Sequence, residues 1–246
     1  MTELRATSGV AAARSQRRDA ILSPEFAAAE RGAEAAPHVG VLALQGDFRE
    51  HRAMFARLGA ASSEVRSPAD LVGIDALAIP GGESTTIGKL MRHFGLVAPI
   101  KARAAGGMPV LGTCAGLITL ASGIVEGDQP VLGLIDIVAR RNAFGRQVHS
   151  FEVDVDVPAL GPPPVRAVFI RAPWIESAGP GVEIMASYRG HAVAAREGRV
   201  LVTAFHPELT GDTRVHSAFL AMVRAASSRT GAAGGSAGTP AEEVVS

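Results

Sequence analysis

The chain has 246 residues, of which 47% are hydrophobic, and 24 Lys and Arg balance 24 Asp and Glu to a formal net charge of +0. That is ample for a buried core of one large or two small domains, and it leaves no global field to draw the molecule to nucleic acid or to an anionic membrane. One cysteine excludes an intrachain disulfide framework and a zinc cluster of thiolates, in keeping with a reducing cytoplasm, and no apolar run reaches the length of a membrane span.

Residues 1–37 are rich in Ala, Arg and Glu, without a signal-peptide core or a sustained amphipathic face, and are expected to form a mobile extension. The basic stretch 14–18 suggests a transit peptide, but Glu3, Asp19, Glu25 and Glu30 interleave acid through the segment. Residues 39–44 read as a buried strand, followed by a helix from Asp47 with Phe48, Phe55 and Leu58 on its apolar side and a stop at Gly59. Residues 63–66 are a short strand and 76–79 a buried one, broken by Pro80-Gly81-Gly82 before a helix near Ser84. A further strand, 108–111, runs into a small-residue turn and a helix-like stretch from Leu117. This alternation predicts an α/β fold with a mostly parallel sheet covered on both faces, and ligands at the carboxyl ends of its strands. Segments 131–138, 151–157, 165–170, 182–188 and 191–195 read as an antiparallel extension of that sheet. Residues 200–205 are again a buried strand, and Val215, Phe219, Met222 and Val223 mark a closing helix. The folded unit is expected to span 38–226, with a flexible Gly/Ala/Ser-rich tail over 227–246.

Three segments carry chemistry. Gly112-Thr113-Cys114-Ala115-Gly116 lies between a strand and a helix, where small residues permit a sharp turn that presents a nucleophile. Taken alone, a single cysteine is by default a small buried hydrophobe. His206-Pro207-Glu208 alters that balance, because a residue before proline is held extended and His206 and Glu208 then share a side. The result is a nucleophile, base and orienter in the order Cys, His, Glu; a structural histidine beside a carboxylate is the alternative. An oxyanion donor is available at the Ala115 N–H, and a second in segment 80–84, which otherwise is a plain turn with Ser84 as helix cap. A phosphate-binding loop fails there, since Glu83 and Leu90 stand where a glycine and a hydroxyl are required. No H-E-x-x-H pattern is present, and His51, His93, His149, His191 and His216 are expected as surface or structural residues.

Six segments in order, 44–51, 80–86, 112–117, 141–147, 169–173 and 206–210, resemble the glutaminase subunits of pyridoxal 5'-phosphate synthase, within the triad-type glutamine amidotransferases. The resemblance covers the folded unit and says nothing of the extension or tail. It implies the three-layer, flavodoxin-like fold of class I glutamine amidotransferases, with a mostly parallel central sheet and an antiparallel extension. It implies Cys114 as nucleophile, His206 as general base and acid, and Glu208 as orienter. Gly82, Glu83 and Ser84 would hold L-glutamine, the amides of Gly82 and Ala115 would face the oxyanion, and Arg141, Ile170 and Arg171 would complete the pocket. Without the resemblance Arg141 reads as a solvated charge beside Arg140. Gln45, at the end of the first strand near the oxyanion side, takes no role from the sequence. The resemblance further implies a cytoplasmic enzyme with no metal or organic cofactor, whose partner is a (β/α)-barrel synthase that receives the ammonia and switches on glutamine hydrolysis when docked. The competing possibilities are another cysteine hydrolase on a similar α/β sheet, and a catalytically silent scaffold subunit.

Overall fold

Short aliphatic strands with no solvent-facing side form the centre of the sheet. In the computed structural model, which describes residues 36–145 and 150–233, β1 (His38–Leu42) is buried from Val39 onward, and β3 (Ala76–Ile79), β4 (Val110–Thr113) and β12 (Val200–Thr203) are buried throughout. The extension up to residue 35, the tail from 234, His149 and the Arg146-Gln147 end of one motif lie outside the described residues.

These strands and the edge strand β2 (Ala61–Val65) run parallel in the order β2-β1-β3-β4-β12. That is the doubly wound order of flavodoxin-like sheets, in which the chain leaves its first strand in one direction and returns in the other. Helix α1 (Phe48–Arg57) links β1 to β2, while α2 (Ser84–His93) and α3 (Val97–Ala105) link β3 to β4. Right-handed crossovers in opposite directions put α1 on one face and α2 with α3 on the other. The switch point falls between β1 and β3, so the loops after these strands border one crevice.

Beyond β12 the sheet turns antiparallel through β11 (His191–Glu197), β9 (Trp174–Ala178) and β6 (Ile135–Arg140). It ends on β5 (Ala121–Ile124), with β10 (Glu183–Tyr188) paired to β11. The sequence placed two of its strands differently. β7 (Ser150–Val155) and β8 (Val165–Ile170) pair with each other in a separate ladder rather than joining the extension. Every second residue of β7 is exposed, so its alternation is that of a ribbon with one wet face. The strand expected over 131–138 begins only at Ile135, while β5 and β9 were not expected. Their residues Ala121-Ser122-Gly123-Ile124 and Trp174-Ile175-Glu176-Ser177-Ala178 have no strong strand pattern, and pairing with β6 holds them.

Helix α5 (Arg214–Ala233) lies beside α1, with Phe219 6.2 Å from Phe55 between ring centroids. It continues through residues 227–233, expected as the start of the tail. Phe55 and Phe219 are both fully buried, and truncating either to alanine should cost about 3–5 kcal/mol.

Candidate active site

The turn from β4 into α4 (Ala115–Leu120) is tight because two glycines leave no room for anything else. A Cβ on Gly112 would sit 2.5 Å from Leu120 Cδ1, and one on Gly116 2.1 Å from the Ile79 carbonyl oxygen, so α4 rests directly on β3. Between them Cys114 adopts φ 48° and ψ −101°, a conformation costing a side-chain-bearing residue about 1–3 kcal/mol. Its N–H is held by the Thr203 carbonyl at 2.8 Å, and its Sγ lies 3.8 Å from the Ile170 carbonyl. The sequence thus folds locally into a strained elbow whose cysteine is only 6% exposed.

The second part arrives because β12 pairs beside β4, with Thr203 opposite Thr113. Just past the strand end, the His206 N–H donates to Val168 O at 2.8 Å, and the turn Pro207–Leu209 folds Glu208 back. His206 Nδ1 then donates to Glu208 Oε1 at 2.8 Å and faces Asp47 Oδ2 at 3.3 Å. Cys114 is close enough to the same imidazole to stabilise its charged form. Burial works against charge on His206, but its bonds to Asp47, Cys114 and Glu208 prevail and push it up to about 12. A cationic imidazole is what a thiolate nucleophile needs as its partner. Burial pushes the Glu208 carboxyl up, with the His206 charge pulling the other way.

The third part is the loop after β3. A Cβ on Gly81 would strike His206 Cε1 at 2.2 Å, so this backbone lies against the imidazole. Gly82 has φ +148° and leaves 2.4 Å between such a Cβ and Gln45 Oε1. That Gln45 oxygen accepts the Glu83 N–H at 2.7 Å, tying the loops at the switch point together. Glu83, rather than Ser84, caps α2: its carboxylate takes the N–H groups of Thr85 and Thr86 at 3.1 and 2.7 Å. Burial raises its carboxyl, but the Thr86 and Thr85 hydrogen bonds outweigh that and hold it below the usual range. Arg141 reaches the same carboxylate at 3.3 Å, and buried Ser84 donates to Gln129 Oε1 at 3.1 Å. Phe144 pins the Arg141 segment by packing edge-on against Phe151 and Phe169, 5.4 and 5.3 Å away.

Residues 41–225 match the model of the SNO glutamine amidotransferase family. The chain belongs to that family. Among its relatives, the pyridoxal 5'-phosphate synthase subunit PdxT of Pelotomaculum thermopropionicum is 60% identical over 182 residues, covering 74% of this chain and 93% of that protein. The protein of the same name from Herpetosiphon aurantiacus is 60% identical over 188 residues, 75% of this chain and 99% of the relative. A crystal structure of a glutamine amidotransferase superposes with a TM-score of 0.72 at 50% identity, covering 75% of this chain and 98% of that one. PurLQS of Thermotoga maritima, at 15% identity and a TM-score of 0.59, shares the fold.

In this member of the family, Cys114, His206, Glu208 and the Ile170 carbonyl meet at one sheet edge with Gly81; Gly82 follows it in the same loop, and Glu83 and Arg141 pair beside that loop. Ala115 opens α4 next to the thiol, and Arg171, following Ile170, takes φ 44°. Asp47, His51 and His216 escaped sequence reasoning, and Gln45 was placed near the site without a role. Asp47 supplies a second carboxylate to His206, and Gln45 braces the glycine loop. His51 and His216, for which a surface position was one expectation, are fully buried behind Glu208. The placement of Gln45, Asp47 and His51 within the first motif hinted at involvement, and nothing in the sequence marked His216. Asp47, His206 and Glu208 also bring potential metal-ligand atoms within 4.8 Å of one another, but His206 Nδ1 already lies 3.3 and 2.8 Å from the two carboxylates, at hydrogen-bonding range.

Proposed function

We propose that this chain is the glutaminase subunit of a pyridoxal 5'-phosphate synthase and that Cys114, His206 and Glu208 carry out its reaction. The observation that carries the proposal is a single imidazole hydrogen-bonded to a buried carboxylate and electrostatically coupled to the thiol of a strained elbow, in a chain of the glutamine amidotransferase family. The relatives' name supplies the pathway.

The Cys114 thiolate attacks the side-chain amide carbon of L-glutamine. The amides of Gly82 and Ala115 receive the oxyanion, and His206 gives its proton to the nitrogen as ammonia leaves. A glutamyl thioester remains, which water activated by His206 hydrolyses to glutamate. Glu208 keeps the imidazole aimed through both steps. Glu83 and Arg141, opposite charges 3.3 Å apart, suit the α-ammonium and α-carboxylate of the amino acid, with Ser84, Ile170 and Arg171 closing the pocket.

Ammonia released into water at neutral pH takes up a proton and loses its nucleophilicity, so it has to pass under cover to a second active site. The partner is the (β/α)-barrel synthase subunit implied by the resemblance, in the cytoplasm, where a lone reactive thiol stays reduced. Among the described residues no helix is long and apolar enough to cross a membrane.

Amide-labelled glutamine given to the reconstituted pair should place its nitrogen in pyridoxal 5'-phosphate, and Cys114→Ala should lower glutamine hydrolysis by roughly 1,000-fold or more. Label in a different aminated product, or hydrolysis indifferent to the substitution, would sink the proposal.

A further inference from the structure

Behind the Cys114, His206 and Glu208 triad lies a second polar chain that the reaction as described does not use. Glu208 spends Oε1 on His206, while its buried Oε2 has no hydrogen-bond partner and lies 3.5 Å from His51 Nε2. His51 comes from α1 and is fully buried. Its Nε2 is 3.0 Å from the hydroxyl of Thr113, the residue before the nucleophile, and its Nδ1 is 3.0 Å from Nε2 of His216 on α5. His216 is also fully buried, and its Nδ1 has no partner.

Burial, aided for His51 by its neighbours His216 and His206, holds His51 well below its ordinary value, and burial takes His216 down to about 3. Each is therefore neutral and carries one N–H, and only two arrangements of the pair are open. In one, His216 Nε2–H donates to His51 Nδ1, and His51 Nε2–H points at Thr113 and the Glu208 carboxylate. In the other, His51 Nε2 turns a lone pair on that carboxylate, and His216 Nδ1–H is left as a buried donor without an acceptor. The second sets two electron-rich atoms against each other in a low-dielectric interior and orphans an N–H, the rarer and costlier kind of unpaired group. Electrostatics selects the first.

We propose that His51, oriented by His216, is a positioning residue that keeps the second oxygen of Glu208 ionised and in place, so that the first stays aimed at His206. The proposal rests on Cys114, His206 and Glu208 being the reacting triad. The groups facing Glu208 are His206 (itself coupled to Cys114), Asp47 and His51 from the start of α1, and His216 from α5 behind His51. Strand β8, packed against the same turn, carries one charged residue, exposed Arg166, which is taken up by Glu152 and Asp154.

The test uses His51→Leu, His51→Gln and His216→Phe in the full chain. Partner-supported kcat/KM is measured against pH, and ultraviolet thiolate absorbance is titrated without glutamine. Because the chain has one cysteine, that absorbance belongs to Cys114 alone. His51→Leu should lower kcat/KM roughly 10- to 100-fold, the effect of removing the polar N–H that faces a buried charged group at 3.5 Å. Without the donor Glu208 takes up a proton more readily, so the acid limb of the profile and the thiolate midpoint should both move to higher pH. His51→Gln, which keeps an N–H, should recover part of the loss. An unmoved acid limb and thiolate curve in a folded His51→Leu protein, or equal losses from Leu and Gln, would overturn the positioning role and leave His51 as packing. If His51→Leu does not fold, His216→Phe decides alone, since it disturbs only the orientation of His51 and no side chain in contact with Glu208 is replaced: a smaller upward shift supports the proposal and none overturns it. The thiolate titration needs no substrate, so it stands apart from the glutaminase reading, which fails separately if Cys114→Ala leaves glutamine hydrolysis intact.

Discussion

Replacing Gly116 with alanine tests how the elbow holds its nucleophile. The added Cβ falls 2.1 Å from the oxygen and 3.0 Å from the carbon of the Ile79 carbonyl. Both are backbone atoms of a strand buried along its whole length, so neither can rotate away. An ordinary contact starts at 3.4 Å, and α4 must therefore withdraw from β3 by roughly 1 Å. Overpacking of this kind costs about 1–3 kcal/mol. In a domain of this size that lowers Tm by roughly 2–4 °C for each kcal/mol. The catalytic cost should be larger, because Cys114 is the N-cap of α4 and moves with it, and a misplacement of about 1 Å at reacting atoms costs on the order of 100-fold. Thermal melting and partner-supported glutamine hydrolysis measure the two effects. Gly59→Ala is the control: φ is +74° but nothing lies within 4 Å of the new Cβ, so it should lose ~1 kcal/mol from backbone strain and keep its turnover. Wild-type turnover and melting in Gly116→Ala would refute the idea that the thiol is set by seating α4 on β3.

Arg141→Ala should raise the KM for glutamine about tenfold, by removal of one charge-assisted contact, with a smaller change in kcat. Its half-exposed pair with Glu83 contributes little to stability, so an unchanged KM in the folded variant would remove Arg141 from the pocket. Stability should fall as acid is added, because His51 and His216 are held below the ordinary 6.5, His216 at about 3. Below that ordinary value the unfolded chain binds protons that the folded chain refuses, so the stability present above it is lost progressively on the way down to about 3 for His216. For His216 alone this amounts to about 2 kcal/mol between about pH 6.5 and 5, and urea unfolding of His216→Phe should lack that share. Equal acid sensitivity in the two proteins would show that the loss arises elsewhere. A strong chelator should leave glutamine hydrolysis unchanged; inhibition reversed by a divalent cation would recast Asp47, His206 and Glu208 as a metal site.

Much of the local architecture was legible in the residues because it depends on neighbours in the chain. The β4 elbow follows from Gly112 and Gly116 around Cys114, and the extended His206 follows from Pro207. The strand and helix alternation up to Leu117 is a matter of apolar spacing and glycine stops. Spacing of this kind gives the type of an element, whereas its partner depends on which edges are free. Segments 151–157 and 165–170 accordingly read as strands of the main sheet, yet β7 and β8 pair with each other. Segments 121–124 and 174–178, of ordinary composition, become strands once β6 lies beside both.

By itself the sequence determined the pieces of the site: a strained cysteine turn, a histidine and glutamate held by a proline, and a glycine loop after a buried strand. Only the tertiary structure decided how they meet, by pairing β12 with β4 so that His206 comes to Cys114, and by folding Gln45 and Asp47 across the switch point onto the glycine loop and the imidazole. It also buried His51 against His216, 165 residues apart in the chain, where no local pattern sets them apart from surface histidines. The physical reason is one of range: backbone strain and hydrophobic period act over a few residues and leave their mark in the sequence, whereas desolvation and hydrogen-bond partnership exist only once distant segments have excluded water between them.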